Sequence, residues 1–600
     1  MTEAVTDKLF FEVERSFSGK RWLERPSDSR QALALSQQFQ LPEIIGRFLN
    51  ARGITADQVD TFLEPKLSSS LPDPAHLLDM DVGVARLIAA IQAKEKIAVF
   101  GDYDVDGATS SALLARFFKS IGVDLRIYIP DRITEGYGPN IAALEKLKGE
   151  GVKVVITVDC GTTAFEPLAH AKKNDLDVII VDHHVAEAGL PDAVAVINPN
   201  RLDEESEHGQ LAAVGVSFLL AVALNRGLRE VGYFKDHADI SEPDLMQWLD
   251  IVALGTVADM VALTGVNRAL VVQGLKVMAK RRNAGLSALA DVARMDEAPS
   301  TYHLGFLMGP RVNAGGRVGE SYLGAQLLAT DDADEAFNIA QKLDAYNTER
   351  REIEDVVLQE ALELADQKTQ EDASGSVVFI AGKDWHPGVI GIVASRLKER
   401  YGLPACVLTI QDGKATGSGR SITGVDLGAC VIAARQAGIL TNGGGHAMAA
   451  GFSLAEDQLD AFSEFLSERI GKQIEEEGIV PTLNVDGAIT IEGATMELVE
   501  VLAKMGPFGT GNAEPRFAFS SVRIAKVDVV GVNHVRCFLS GLDSKKQLAC
   551  IAFRCVDTEL GQALLNHNGL PLHIVGRLRE NLWQGRSSVQ LLIDDVAAVS

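Results

Sequence analysis

The chain holds 600 residues, too many for one hydrophobic core, so three or more domains are expected. Hydrophobic residues make up 46% and charged residues 23%, a globular balance that excludes a disordered or collagen-like chain. A net charge of −25 excludes a protein that coats duplex nucleic acid by charge alone, yet leaves room for an enzyme with a carboxylate site and a local basic groove.

Six cysteines are scattered without a CxxC pair, as in a reducing compartment. The first thirty residues mix charges (Asp7, Lys8, Glu12, Glu14, Arg15) and hold no apolar signal core. The long apolar stretch 211–224 is broken by small and polar residues. A cytoplasmic protein without a membrane span is the expectation.

Residues 1–75 read as an N-terminal helical segment, with two short helices separated at Gly53 and a boundary at Pro65, Pro72 and Pro74. A domain over 76–345 follows. Its helix from Val82 to Gln92 leads into apolar strands at 97–100, 125–129, 153–158 and 178–181, which alternate with helical patterns at 108–121, 140–149 and 163–174. Such alternation predicts a parallel sheet covered on both faces. Ligands of these sheets gather at the carboxyl ends of the strands.

Strand 97–100 ends in Asp102, Asp104 and Asp106. Strand 153–158 ends in Asp159, and strand 178–181 in Asp182, His183 and His184. The apolar segment 248–257 delivers Asp259. A single strand-end Asp commonly caps the next helix. Carboxylates and imidazoles at the ends of several elements instead predict one metal site, and the absence of a thiolate cluster suits Mn²⁺ or Mg²⁺. The carboxylates suffice for two ions, the arrangement that hydrolyses phosphoesters.

Residues 309–319, GPRVNAGGRVG, read as a glycine-rich loop whose Arg311 and Arg317 suit phosphate. The charged stretch from Asp332 to Gln370 predicts a long helix, with 346–374 as the connection to a second, smaller α/β domain over 375–480. There, ATGSGRS brings Ser418 and Arg420, and the triple glycine 443–445 before His446 predicts backbone N–H groups aimed at an anion. Residues 481–600 show short β-like runs and predict an OB-type barrel. Arg536, Phe538, Arg577, Arg579, Trp583 and Arg586 interleave basic and aromatic side chains, as a single-strand groove requires.

Taken together, GDYDVDG (101–107), TVDCGT (157–162), VDHH (181–184) and LGTVADMV (254–261) resemble the DHH phosphoesterase superfamily. HPGVIGIVASRL, GSGRS and GGGHAMAAG are similar to its DHHA1 domain. With GPFGTGNAEPRF (506–517) and a barrel, the resemblance narrows to the RecJ family of single-strand-specific DNA exonucleases. That resemblance implies removal of mononucleotides from a 5′ end, in repair and recombination, with Mn²⁺ or Mg²⁺. It implies Asp102, Asp104, Asp106, Asp159, His183 and Asp259 as metal ligands, with Asp159 bridging two ions. The catalytic set becomes Asp104, Asp106, Asp159 and His184, the last on the scissile phosphate. Arg311, Asn313, Arg317, Ser418, Arg420, Gly444, Gly445 and His446 match phosphate-holding motifs. Single-stranded DNA, a single-strand-binding protein and a helicase are the implied partners of a monomer. The alternatives are a DHH enzyme on short oligoribonucleotides, cyclic dinucleotides or pyrophosphate, and a non-catalytic single-strand-binding scaffold.

Overall fold

Alternation along one strand shows how the parallel-sheet part of the chain is layered. In β1 (Lys96–Gly101), Ile97 and Val99 enter one apolar core while Ala98 and Phe100 enter another. The computed structural model describes residues 8–132, 134–371, 375–541, 546–583 and 585–599, the side chains of 369–371 and 583 excepted. They form two compact units, residues 67–479 and residues 8–66 with 480–599.

In the first unit, β1 pairs with β2 (Leu125–Tyr128) and β3 (Val152–Val158), followed by β4 (Asp177–Val181) and β5 (Ala195–Ile197). The order is β2-β1-β3-β4-β5 and every pair is parallel. Strands buried on both faces need apolar residues throughout, which these runs supply. One face is covered by α1 (Val105–Ser120) and α2 (Ala213–Glu230). Leu144, Leu147 and Leu168, on the helices Ile141–Gly149 and Phe165–Lys173, cover the other. Because all strands run the same way, their carboxyl ends share one edge of the sheet. α3 (Leu249–Ala258), buried on nearly every side, ends at the same site.

The segment 309–319 is not a loop. Gly309–Val318 forms helix α4, with Pro310 in its first turn, where a missing N–H costs nothing. Its glycines serve packing: a Cβ at Gly316 would stand 2.6 Å from the Tyr103 carbonyl oxygen. The long helix is α5, Ala333–Glu371, and it begins well before residue 346. Beyond it lies a mixed five-stranded sheet of β6 (Val378–Lys383), β7 (Ala405–Gln411), β8 (Lys414–Arg420), β9 (Asn442–His446) and β10 (Ala449–Ala455), in the order β9-β10-β8-β7-β6. The triple glycine is therefore an edge strand rather than a nest. Pairing of β9 with β10 uses alternate N–H groups, so three successive ones cannot converge on one anion.

In the second unit, β11 (Phe517–Val530), β12 (His534–Ser540), β13 (Gln547–Ala552), β14 (Leu572–Trp583) and β15 (Arg586–Ala598) close into a barrel through the β11–β14 pairing. The N-terminal residues belong to this unit. Arg21–Glu24 pairs in parallel with Thr482–Val485, and Trp22 donates its indole N–H to Asp595 at 2.9 Å. Ile45, Phe48 and Leu49 join the barrel core. Among the described residues no helix is long and apolar enough to cross a membrane.

Candidate metal centre and arginine cavity

The acidic turn after β1 is shaped by a helix cap. Asp104 Oδ1 accepts the N–H groups of Asp106, at 2.9 Å, and Gly107, at 3.1 Å, which satisfies donors at the start of α1. Gly107 is required by contact, since a Cβ there would lie 2.3 Å from the Asp102 carbonyl oxygen. We expect Gly107→Ala to cost about 1–3 kcal/mol through overpacking and to weaken Mn²⁺ binding, both readable by calorimetry. Unchanged Mn²⁺ affinity would contradict this shaping of the turn.

Asp106, fully buried, accepts the N–H groups of Ala213 at 2.7 Å and Val214 at 2.9 Å, at the start of α2. Asp159 sits in the left-handed region at φ 61, a strained conformation that Asp tolerates better than most residues. Asp182 organises the next loop: it accepts from the N–H of Thr162, from both histidine N–H groups and, at 2.8 Å, from His184 Nδ1.

These elements converge. His183 Nε2 lies 3.3 Å from Asp159 Oδ1, 3.6 Å from Asp259 Oδ2 and 3.9 Å from Asp106 Oδ2. Three overlapping sets each hold donor atoms within 4.8 Å of one another: Asp102, Asp104 and Asp159; Asp106, His183 and Asp259; and Asp159, His183 and His184. Asp102 Oδ1, Asp159 Oδ1, His183 Nε2 and Asp259 Oδ2 are buried without a hydrogen-bond partner. Leaving such groups unsatisfied is costly, and divalent cations would satisfy them together. The donors are oxygen and imidazole, the set that Mn²⁺ and Mg²⁺ fit. Cys160 points instead toward the carbonyls of Phe100 and Val158.

The electrostatics agree with that need. Burial, then the charge of Asp104, raises Asp106 to about 7. Burial and Asp106 raise Asp259 to about 9. Asp102 and Asp159 are pushed well above the usual carboxylate range by burial and then Asp104. Burial and His184 lower His183 to about 4, which keeps its ring neutral and able to ligate. At His184 burial acts downward, but the hydrogen bond and charge of Asp182 prevail and raise it to about 9.

Beside this centre is a cavity of about 540 Å³, lined by Arg132, Arg317, Ser418, Arg420, Gly443 and Gly444 among others. No described carboxylate lines it. Arg420 donates to Ser418 Oγ at 3.0 Å, and Arg317 to the Gly388 carbonyl at 2.9 Å. Burial, with Arg132 and Arg350 nearby, lowers Arg317 to about 10. Half-buried guanidinium groups without carboxylates favour an anion. Arg132 lies over the ring of Tyr103, which stands between Asp102 and Asp104, so the cavity adjoins the acidic turn.

Several phosphate-site expectations lie elsewhere. Arg311 is buried and engaged, its Nε on Asp344 at 2.8 Å and its Nη1 on the Leu307 carbonyl. Asn313, Gly445 and His446 are not among the cavity's lining residues; His446 is exposed and its Nδ1 accepts the Met448 N–H at 3.3 Å. In the barrel, Arg577 is paired with Asp594 and Glu514, Arg579 with Glu514, and Arg536 with Asp528, which neutralises much of the expected basic face. Phe538 is half-buried and Arg586 exposed, while the side chain of Trp583 lies outside the described residues. Sequence reasoning missed Arg132 and assigned no role to Asp182. Arg132 follows the carboxyl end of β2, the strand end that was not read; Asp182 was visible at its strand end but looked like a neighbour of the histidines.

Comparison with known proteins matches this architecture. Residues 96–256 match the DHH family N-terminal domain, 374–472 the DHHA1 domain and 485–595 the RecJ OB domain. The single-stranded-DNA-specific exonuclease RecJ of Salmonella typhimurium is 35% identical, over 93% of this chain and 96% of that protein. Thermus thermophilus RecJ in complex with Mn²⁺ superposes with a TM-score of 0.78 at 26% identity, covering 96% of this chain and 78% of that one. Its Mg²⁺ complex gives 0.73 at 25% identity, with the same coverage. Full-length similarity to such relatives, together with all three matched domains, places the chain in the RecJ family.

Proposed function

We propose that the chain is a metal-dependent exonuclease specific for single-stranded DNA, releasing mononucleotides from the 5′ end in repair and recombination. The observation that carries this reading is the convergence of unpartnered oxygen and nitrogen donors beside an arginine cavity without carboxylates. The names of the relatives support the strand specificity.

Two divalent cations, Mn²⁺ or Mg²⁺, would activate water and neutralise charge on the phosphoryl oxygens when bound at the centre. Asp102 and Asp104 would hold one side of it, and Asp106, His183 and Asp259 the other; Asp159, which shares one donor set with Asp102 and Asp104 and another with His183, would serve both. His184, charged through Asp182, faces the phosphoryl group and offsets the charge that develops there. Arg132, Arg317, Arg420 and Ser418 grip the terminal phosphate and set the register of each cut. Recruitment by a single-strand-binding protein and a helicase, a monomeric state and a cytoplasmic location complete this reading; they rest on the family resemblance.

The deciding experiment uses one single-stranded oligonucleotide labelled at either end, incubated with Mn²⁺, Mg²⁺ or a chelator, beside the matching duplex and RNA. Immediate release of 5′-labelled mononucleotide from single-stranded DNA, only with metal, is the expected result. Shortening from the 3′ end, or preference for RNA, would sink the reading. Arg420→Ala should raise KM for a 5′-phosphorylated strand roughly 10- to 100-fold, the size of a lost charged hydrogen bond, with kcat changed far less. Equal KM values for the variant and the parent would remove Arg420 from phosphate binding.

A further inference from the structure

The segment from Asn198 to Val214 contains none of the motif residues, yet it touches three candidate ligands. Asn198, fully buried, donates its amide to Thr162 Oγ1 at 2.9 Å and to the His184 carbonyl at 2.8 Å. Asn200 donates to the His183 carbonyl at 2.6 Å and to the Gly209 carbonyl at 2.9 Å. Ala213 and Val214 then present their N–H groups to the Asp106 carboxylate.

We propose that Asn200 is a positioning residue of the centre: its carboxamide staples the His183 loop to Gly209 and so sets His183 against Asp106. The proposal rests on the reading of the centre as a divalent-cation site. His183 and Asp106 come from different strand ends, and their donor atoms lie 3.9 Å apart; Asp182 holds the His183 backbone from within its own loop, whereas Asn200 ties that loop to the segment that reaches Asp106. Both hydrogens of one amide nitrogen are used to join the two ends of the excursion between them. Ligand geometry tolerates errors of only about 0.5 Å, so outer partners of this kind govern affinity.

Gly209 gives an independent handle. A Cβ there would stand 2.6 Å from Asn200 Oδ1, with no other group closer than the rest of that side chain, and its φ is not left-handed. Gly209→Ala should therefore act by displacing the Asn200 carboxamide.

The test measures Mn²⁺ binding by the electron paramagnetic resonance of free Mn²⁺, on the full chain and on Asn200→Ala, Gly209→Ala and the double variant. Thermal melting is followed in parallel. Asn200→Ala should weaken binding roughly 10- to 100-fold with melting little changed, the range for a lost outer partner of a metal ligand. Gly209→Ala should weaken it in the same direction, and the double variant should be no weaker than Asn200→Ala, because both remove one staple. Parent-like affinity in both single variants, or losses that add in the double, would overturn the proposal. If Asn200→Ala fails to fold, Gly209→Ala decides alone. A parent chain that binds no Mn²⁺ would instead overturn the cation reading itself, and the staple with it.

Discussion

Asp159→Asn should lower kcat on single-stranded DNA by roughly 10⁴-fold, as expected when a member of a catalytic unit is lost, while the affinity for the strand stays within a few-fold. Asp159 belongs to two of the three donor sets, and its Oδ1 is the carboxylate oxygen nearest to His183 Nε2, at 3.3 Å. Its loss would remove a donor shared by two of the candidate sets. The arginine cavity is built from other elements and keeps its residues. Asparagine is the better replacement than alanine, because it tolerates the left-handed backbone at φ 61 and keeps the shape of the side chain. Steady-state hydrolysis and fluorescence anisotropy of a labelled oligonucleotide would separate the two effects. Equal loss of binding and hydrolysis would refute the division of labour between metal centre and cavity.

Chelator-treated protein should melt at least about 5 °C lower at pH 9 than at pH 6.5, and Mn²⁺ should restore most of that difference. Asp106, at about 7, and Asp259, at about 9, have folded values above those of the unfolded chain. Asp102 and Asp159 are shifted the same way. His184, raised to about 9, also binds its proton more tightly when folded. The folded protein thus holds more protons than the unfolded one through this window, and stability must fall as pH rises. His183, lowered to about 4, works in the opposite sense, but only below its unfolded value near 6.5. A cation replaces the protons on these carboxylates, so its stabilisation should grow with pH. Calorimetric scans across the range would check this. A melting temperature that rises from pH 6.5 to 9 without metal would mean that the carboxylates are not packed together as described.

Both expectations concern a site whose residues were largely legible from local pattern. Apolar runs that stop at an acidic residue mark strand ends, and a parallel sheet brings those ends to one edge. That is why Asp102, Asp159, His183 and His184 could be grouped without coordinates. Asp259 was found for a different reason, as the first carboxylate after an apolar segment, which forms a helix rather than one of the strands. The helical nature of 309–318 was obscured because Gly and Arg suggest a turn, whereas Gly316 answers to the nearby Tyr103 backbone and Gly315 to the Glu320 carbonyl. Gly443–Gly445 misled similarly: edge-strand pairing and an anion nest share the same composition.

By itself the sequence determined the strands and helices of the parallel sheet, the strand-end positions of the carboxylates and histidines, and the barrel, because each depends on periodicities of a few residues. Only the tertiary structure decided which charges are free. Arg311 faces Asp344 and Arg577 faces Asp594 and Glu514, whereas Arg132, Arg317 and Arg420 share a cavity without a carboxylate. It also decided that Arg21–Glu24 pairs with Thr482–Val485, from the far end of the chain. An arginine looks the same in sequence whether a carboxylate or a phosphate will meet it. The difference lies in which distant segment packs against it, and long-range packing leaves no local period to read.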